Sequence, residues 1–259
     1  MLKPFIQKIF NATGYEIRRK SPHYDRIYWP GQSLTAQTFF EIDEGFHNLY
    51  DTAQVKTQMT KTDNPLRRQR HYTLNQLLWC ADIENGDVSD IGCWRGLSTY
   101  QIANYIKQKH LHTLLYVFDS FEGLSNIGSI DTTTGRIQDE ERLREQFACP
   151  QEIVERNLSG FDFIKYYKGW IPDRFHEVKG KSFSFVHIDV DLYQPTYDSF
   201  QFFYPRLIKH GIMVFDDYGC TQFPGAKQAI DKCLKMINNP PFILLPSGQA
   251  FLIKDFIED

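Results

Sequence analysis

The chain has 259 residues, a net charge of −3 and a pI of about 6.2. This length accommodates one complete α/β domain with an extension of moderate size, and the balanced charge excludes the strongly basic surface that nucleic acids and anionic membranes select. No stretch approaches the roughly 20 apolar residues of a membrane span. The five cysteines are widely spaced without a C-x-x-C pair, which argues against a disulfide framework and a structural zinc site, so a cytoplasmic location is expected.

Residues 1–70 are rich in aromatic residues, Thr and Gln, contain several prolines and show only brief helical periodicity, which predicts a helical or irregular cap. From residue 71 to 259 the pattern becomes regular and predicts one α/β domain. The predicted elements are, in order, a helix at 71–83, a strand within 86–92, a helix at 97–109, a strand at 113–119, a helix around 139–148, strands at 161–169 and 182–190, a helix at 196–207, a strand at 212–217, a helix at 226–237 and a strand pair within 242–254. Strands and helices alternate, which requires parallel crossovers, and only the last pair is predicted as an antiparallel hairpin.

Two pairs of aspartates end two short hydrophobic runs: Asp189 and Asp191 follow one run, and Asp216 and Asp217 follow the other. Each run is typical of a parallel strand buried on both faces. The acids then lie at the carboxyl edge of the sheet, where open α/β folds bind ligands. Three or four carboxylates brought together there repel one another, which favours a hard divalent cation between them.

A second motif, VSDIGCWRGLST, places Asp90 at a strand end and Gly92 and Gly96 before a helix. The glycines allow a tight turn, and the helix start offers free N–H groups to a ligand. A dinucleotide fingerprint requires glycine at position 94, which is Trp94 here. The motif instead matches methyltransferases that bind S-adenosylmethionine (AdoMet).

Asp119 ends the second predicted strand and is followed by Ser120. A carboxylate at this position accepts both ribose hydroxyls of an adenosine cofactor, which serves AdoMet and NAD alike. The alternative is an aspartate that only caps the next turn. Trp170 follows the third strand and is a candidate for stacking on adenine, although a packed tryptophan fits the pattern nearly as well.

Three further features stay open from the residues alone. Segment 122–140 has three glycines and little apolar periodicity, which is compatible with an active-site lid or with a disordered surface loop. The basic run RRQRH at 67–71 is interpreted as solvated surface. His187, two residues before Asp189, is interpreted as a satisfied core histidine rather than a base.

Six motifs together carry a family resemblance. They are DIGCWRGLS, VFDSFEGL, KGWIPD, HIDVDLYQPTYDSF, VFDDYG and FPGAKQAID. In this order, over residues 70–240, the chain resembles the macrocin O-methyltransferase family, whose members are AdoMet- and Mg²⁺-dependent and methylate sugar hydroxyls. Residues 1–70 show no such likeness, so the acceptor of the named family members is not carried over.

The resemblance implies a class I methyltransferase fold over residues 71–259, with a seven-stranded, mostly parallel sheet that ends in an antiparallel hairpin. The implied site residues are Asp189 as general base and metal ligand, Asp216 and Asp217 as further Mg²⁺ ligands, and Asp90, Gly92, Gly96 and Asp119 around AdoMet, to which we add Ser120 and Trp170. The expected function is O-methylation of a small, sugar-containing acceptor. Catechol methylation, a nicotinamide-dependent oxidoreductase and a non-catalytic AdoMet-binding protein are the alternatives, and a homo-oligomer is left open.

Overall fold

A computed structural model of the protein describes residues 40, 43–132, 140–237 and 240–255. The chain separates into two compact units, Met1–Ile42 and Asp43–Asp259, and the description here concerns the second unit. Its helices are α1 (Glu44–Thr57), α2 (Pro65–Cys80), α3 (Leu97–Gln108), α4 (Glu140–Gln146), α5 (Gln151–Asn157), α6 (Tyr193–Phe203) and α7 (Gly225–Met236). No helix within the described residues is long and apolar enough to cross a membrane.

Seven strands form one sheet in the described part of the chain. They are β1 (Asp87–Ile91), β2 (Leu115–Asp119), β3 (Ile164–Lys168), β4 (Phe183–Ile188), β5 (Leu207–Phe215), β6 (Phe242–Leu244) and β7 (Ala250–Ile253). The strand order is β3-β2-β1-β4-β5-β7-β6. Strands β1 to β5 pair in parallel, and β7 pairs antiparallel with β5 and β6. The predicted mostly parallel sheet with its C-terminal antiparallel pair is confirmed.

Alternation along the buried strands supplies two cores, one on each face of the sheet. Val88 and Val117 pack on one face with Leu74 of α2 and Ile102 of α3. Val186 of β4 faces the opposite side, in the core that also contains side chains of α6 and α7. Strand order reverses between β1 and β4, so the carboxyl ends of these two strands border the crevice where such folds bind ligands.

Helix α2 begins six residues earlier than predicted and crosses the predicted boundary at residue 70. Asn64 caps it by accepting a hydrogen bond from the backbone N–H of Arg67 at 2.9 Å, and Pro65 occupies the first helical position, where its missing N–H costs nothing. Helices α1 and α2 both contact α3. Part of the predicted cap, from residue 43 onward, therefore packs on the sheet's helical layer, and residues 1–39, 41 and 42 lie outside the described chain.

Candidate active site

The aspartates that end β4 and β5 lie side by side. Asp189 directly follows β4, and Asp216 and Asp217 directly follow β5, with the Asp216 backbone N–H donating to the Ile188 carbonyl at 2.9 Å. The Asp191 backbone N–H donates to Asp217 Oδ2 at 2.9 Å, with Asp191 in the left-handed region at φ +59°. The structure thus brings together all four aspartates that the sequence singled out, which we call the acidic cluster.

Electrostatic repulsion within the acidic cluster is strong. Burial raises the pKa of the Asp189 carboxyl well above its ordinary value, and the carboxylates of Asp216 and Asp217 raise it further. Burial and the Asp217 carboxylate likewise raise the pKa of Asp191. The pKa of Asp217 is raised by burial and by Asp216. Burial and mutual repulsion therefore both disfavour ionisation of these three carboxyls.

One cation from helix α2 faces this cluster. The Arg70 guanidinium lies with Nη1 2.9 Å from Asp216 Oδ2 and Nη2 3.7 Å from Asp217 Oδ1, and Nη2 also donates to the Asp216 backbone carbonyl. Sequence reasoning missed this residue. The interpretation of the run 67–71 as solvated surface is wrong for Arg70 and for His71, whose ring is buried against Gln101.

A signal for Arg70 was present in the helical period. Positions 70, 74 and 78 are four residues apart, and Leu74 and Leu78 are fully buried. Arg70 and His71 therefore share the inward face of α2 with these leucines. A basic residue on the apolar face of a helix needs a buried partner, which here is Asp216.

His187 connects the acidic cluster to β1. Its Nδ1 lies 2.8 Å from Asp90 Oδ1, and its Nε2 lies 3.6 Å from Asp216 Oδ1, which is too long for a hydrogen bond. Burial on its own lowers the pKa of His187, but the carboxylates of Asp216 and Asp90 outweigh it and hold the pKa well above its ordinary value. Burial on its own would raise the pKa of Asp216, but Arg70 and then His187 hold it below its ordinary value.

Asp90 is fully buried beneath the predicted cofactor turn. Its Oδ2 accepts hydrogen bonds from Ser98 and Thr99 in the first turn of α3, at 2.9 and 2.6 Å, while Oδ1 faces His187. Both oxygens are thus engaged inside the protein. This arrangement ties the start of α3 to β4.

The turn after β1 has the glycine requirement that the sequence indicated. Gly92 and Gly96 have φ of +84° and +91°, and Trp94 between them has φ +47°. A Cβ built at Gly92 would overlap the backbone carbonyl of Asp189. The close approach at Gly92 is therefore to the β4 loop, and it fixes the turn against the acidic cluster.

Asp119 organises the same turn from the end of β2. Its Oδ2 accepts the backbone N–H groups of Cys93 and Trp94 at 2.8 and 2.9 Å, and its Oδ1 accepts that of Phe121 at 2.7 Å. Burial raises the pKa of Asp119 despite these bonds. The Ser120 hydroxyl donates to the Gly123 carbonyl at 2.8 Å, within the turn that follows.

Two tryptophans border this region. The Gly169 backbone N–H donates to the Asp119 carbonyl at 3.0 Å, so the half-buried Trp170 follows β3 next to the end of β2. The indole N–H of Trp94 is buried and has no hydrogen-bond partner among the described residues. It is a donor available to a ligand at the turn.

The acidic cluster has the donor chemistry of a cation site. His187, Asp189 and Asp216 each offer a ligand atom, and these atoms lie within 4.8 Å of one another. The third predicted ligand, Asp217, is not part of this set, and its Oδ2 accepts the Asp191 backbone N–H. Burial and then the neighbouring carboxylates raise the pKa values of Asp189 and Asp217, and at Asp217 Arg70 offsets only part of this effect. A carboxylate-rich set suits Mg²⁺, which prefers oxygen ligands. The residues present therefore fit the predicted ion.

Known proteins share this sequence pattern and fold. Demethyldecarbamoylnovobiocin O-methyltransferase of Streptomyces niveus is 26% identical over 152 residues, 57% of each chain. The 8-demethyl-8-(2,3-dimethoxy-alpha-L-rhamnosyl)-tetracenomycin-C 4'-O-methyltransferase of Streptomyces olivaceus is 29% identical over 180 residues, 64% of each chain. The chain thus spans 57% and 64% of the length of these two curated relatives.

Solved structures confirm the predicted fold class. The O-methyltransferase NovP superposes with a TM-score of 0.61 at 22% identity, covering 72% of this chain and 80% of that chain. The calicheamicin methyltransferase CalS11 superposes with a TM-score of 0.58 at 20% identity, covering 87% and 98%. The family model described as Macrocin-O-methyltransferase (TylF) matches residues 53–240, well over half of the chain and starting ahead of residue 70, where the predicted resemblance began. The chain belongs to the macrocin O-methyltransferase family.

Proposed function

We propose that the protein transfers a methyl group from AdoMet to a hydroxyl of a small, sugar-containing acceptor, with Mg²⁺ held by Asp189, Asp216 and Asp217. The observation that carries this proposal is the contact between Gly92 and the Asp189 carbonyl. This contact places a glycine turn suited to AdoMet directly against a carboxylate cluster suited to a metal-bound diol. Family membership supports the same reaction.

The cofactor residues are assigned from the turn outward. Gly92, Gly96, Asp119, Ser120 and Trp170 would border AdoMet, with the Asp119 carboxylate directed to the turn and the ribose. Asp90 would act beneath them, because its oxygens hold the first turn of α3 and His187. We therefore propose that Asp90 supports AdoMet binding by positioning the turn, and not by contacting the cofactor.

The chemistry divides between the bound groups and the chain. When bound, AdoMet supplies an activated methyl group and Mg²⁺ supplies Lewis acidity that lowers the pKa of a coordinated hydroxyl. The Asp189 carboxylate, whose pKa is raised, would accept the proton from that hydroxyl. Arg70 and His187 keep the Asp216 carboxylate ionised. The remaining contribution of the chain is alignment of acceptor oxygen and methyl carbon.

The acceptor class rests on what the two relatives are named for. One is named for demethyldecarbamoylnovobiocin, and the other for the 4'-oxygen of a dimethoxyrhamnosyl group on a tetracenomycin. Sugar rings present neighbouring oxygens, as hydroxyls or methyl ethers, that can replace two waters on Mg²⁺. A cytoplasmic location and the absence of nucleic-acid and membrane partners stay predictions from composition.

Methyl transfer from isotopically labelled AdoMet tests the proposal. The panel comprises nucleotide sugars, glycosylated aromatic metabolites and catechols, each with Mg²⁺ or with a strong chelator, and Asp189→Asn is the matched inactive variant. We expect labelled product from a sugar-containing acceptor only with Mg²⁺. Methyl transfer to catechols alone would show that the acceptor is a catechol and not a sugar. Tight NAD binding without AdoMet binding would contradict the proposed methyl transfer.

A further inference from the structure

A loop residue that is far from the acidic cluster in sequence contacts α6 and α7, the two helices that follow the strands of the cluster. Asp131 lies near the end of the described part of the long polar segment, and it is buried with 4% exposure. Its Oδ1 accepts the backbone N–H of Tyr193 at 2.7 Å, and its Oδ2 accepts that of Gly128 at 3.0 Å. Tyr193 is the first residue of α6, two positions after Asp191.

Helix α6 depends on this carboxylate at its N-terminus. The preceding residue, Leu192, provides no side-chain cap, so the loop residue Asp131 satisfies a free N–H of the helix from 62 positions away. A negative charge at a helix N-terminus also interacts favourably with the helix dipole.

The same carboxylate adjoins the start of α7. A Cβ built at Gly225, the first residue of α7, would overlap Asp131 Oδ1. Gly225 has no side chain because the Asp131 carboxylate occupies that space, which explains the glycine in the FPGAK motif. The residue before it, Pro224, also provides no side-chain cap.

Apolar and polar contacts reinforce the connection. Leu124 packs in a small buried cluster with Leu192 and Phe223, which precede α6 and α7. Gln228 Nε2 of α7 donates to the Ile130 carbonyl at 3.5 Å. The segment 122–132, called the clamp segment here, is therefore held at both loops that bear the acidic cluster.

We propose that Asp131 is a positioning residue that fastens the clamp segment to the first turns of α6 and α7 and thereby fixes the two loops carrying Asp189, Asp191, Asp216 and Asp217. This inference rests on the proposed function for its kinetic consequence, since the acidic cluster is where the acceptor would bind. Asp131 itself touches none of the reacting groups.

The test compares Asp131→Ala and Asp131→Asn with Asp43→Ala. Asp43 caps α1 in the same way, accepting the Phe46 N–H at 2.9 Å, and the main contacts of α1 are with α2, α3 and α5. Hydrogen exchange of Tyr193 and Gly128 should accelerate about tenfold in Asp131→Ala, as expected for loss of a charge-assisted hydrogen bond. It should accelerate less in Asp131→Asn, which keeps one acceptor oxygen, and stay unchanged in Asp43→Ala.

Kinetics separate positioning from a merely structural role. In Asp131→Ala the KM for the acceptor should rise about tenfold while the Kd for AdoMet stays within about twofold, because the cofactor turn lies on β1 and β2. Asp131→Asn should recover part of the loss. Equal losses in Asp131→Ala and Asp43→Ala would overturn the proposal.

A double-mutant cycle with Gly225→Ala needs no acceptor. The shift in midpoint of thermal unfolding caused by Gly225→Ala should shrink by at least about half when Asp131 is already alanine, because the overlapping carboxylate is gone. Additive shifts and unchanged exchange at Tyr193 would overturn the role of Asp131. Altered exchange and coupling without methyl transfer to any acceptor would instead overturn the proposed function alone.

Discussion

Arg70 and Asp216 form an ion pair across 146 positions, with guanidinium Nη1 2.9 Å from carboxylate Oδ2. The pair joins helix α2 to the end of β5. The positive charge of Arg70 lies beside the acidic cluster, in which the carboxyls of Asp189, Asp191 and Asp217 all have raised pKa values. The guanidinium therefore offsets part of the repulsion that four neighbouring carboxylates create.

Arg70→Gln should destabilise the protein most when divalent cations are absent. Removing one partner of a buried pair costs about 3–5 kcal/mol, and we expect about 3 kcal/mol here because Gln249 and His187 still face the Asp216 carboxylate. We expect this loss in urea unfolding with a chelator, and a larger recovery on adding Mg²⁺ than the natural protein shows. Arg174→Gln is the matched control, because Arg174 pairs with Glu177 at the surface and not with an acid of the cluster. Equal stability of both variants in chelator would contradict the role of Arg70.

Asp189→Asn should reduce turnover more than metal affinity. The amide still offers an oxygen ligand but cannot accept a proton. Chelation should abolish transfer, Mg²⁺ should restore it, and AdoMet binding should persist throughout. Calorimetric titration with Mg²⁺ beside single-turnover rates measures the split. Asp191→Asn is the comparison, and we expect a smaller rate loss there because the Asp191 backbone N–H, not its side chain, supports Asp217. The reverse ranking would show that the base is wrongly assigned.

Asp119→Ala should weaken AdoMet binding by at least about tenfold. The variant loses the acceptor of the Cys93 and Trp94 N–H groups, and hydrogen bonds to a charged group contribute about 1.5–3 kcal/mol. Calorimetry with S-adenosylhomocysteine provides the measurement. Asp87→Ala is the control, since Asp87 accepts a backbone N–H from Leu114 at the opposite edge of the sheet. Unchanged affinity in Asp119→Ala would remove Asp119 from the cofactor site.

His71 should make the protein acid-labile. Burial lowers its pKa to about 3, whereas the pKa of a histidine in an unfolded chain is about 6.5. Between these two pKa values the unfolded chain binds the proton more readily than the folded protein does. The free energy of unfolding is therefore highest above a pH of about 6.5 and falls by about 1.4 kcal/mol for each pH unit below it. From pH 7 to 5 the natural protein should lose about 2 kcal/mol more than His71→Asn.

Urea unfolding at each pH checks this difference. The acidic cluster and His187 are common to both proteins, so most of their titration cancels in the comparison, apart from their coupling to His71 itself. The exposed His176→Asn serves as control and should follow the natural protein. Parallel pH curves for the natural protein and His71→Asn would contradict a neutral, buried His71.

The strand-end aspartates could be predicted from sequence because each ends an uninterrupted apolar run, and parallel strands expose their carboxyl ends at one edge. The role of Asp90 could not be read this way. Its partner His187 is set by the register of β1 against β4, which pairs these two residues directly. The pattern of residues along one strand does not show which residue of the neighbouring strand lies opposite.

Arg70 and Asp131 show a second limit. Arg70 belongs to a basic run and Asp131 to a polar loop, and the role of each is defined by a contact over a long separation, to Asp216 in one case and to Tyr193 in the other. Helical period could have indicated that Arg70 points inward, but not which acid it meets. For segment 122–140 the lid prediction stays untested, and residues 133–139 lie outside the described chain.

Gly92→Ala should disrupt AdoMet binding and metal binding together. Gly92 has φ +84°, and a Cβ there would overlap the Asp189 carbonyl, so the turn and the β4 loop must separate. Gly160→Ala is the matched control, because Gly160 also has positive φ, +101°, but nothing lies within 4 Å of a Cβ built there.

The two variants separate backbone strain from steric overlap. Both should lose about 1–2 kcal/mol of stability through the left-handed conformation of a residue with a Cβ. Only Gly92→Ala should also lose affinity for S-adenosylhomocysteine and for Mg²⁺, each measured by calorimetry below the unfolding temperature. If Gly92→Ala lost affinity for only one of the two ligands, the cofactor turn and the acidic cluster would be independent. The contact between Gly92 and Asp189 would then not support the proposal that one reaction uses both sites.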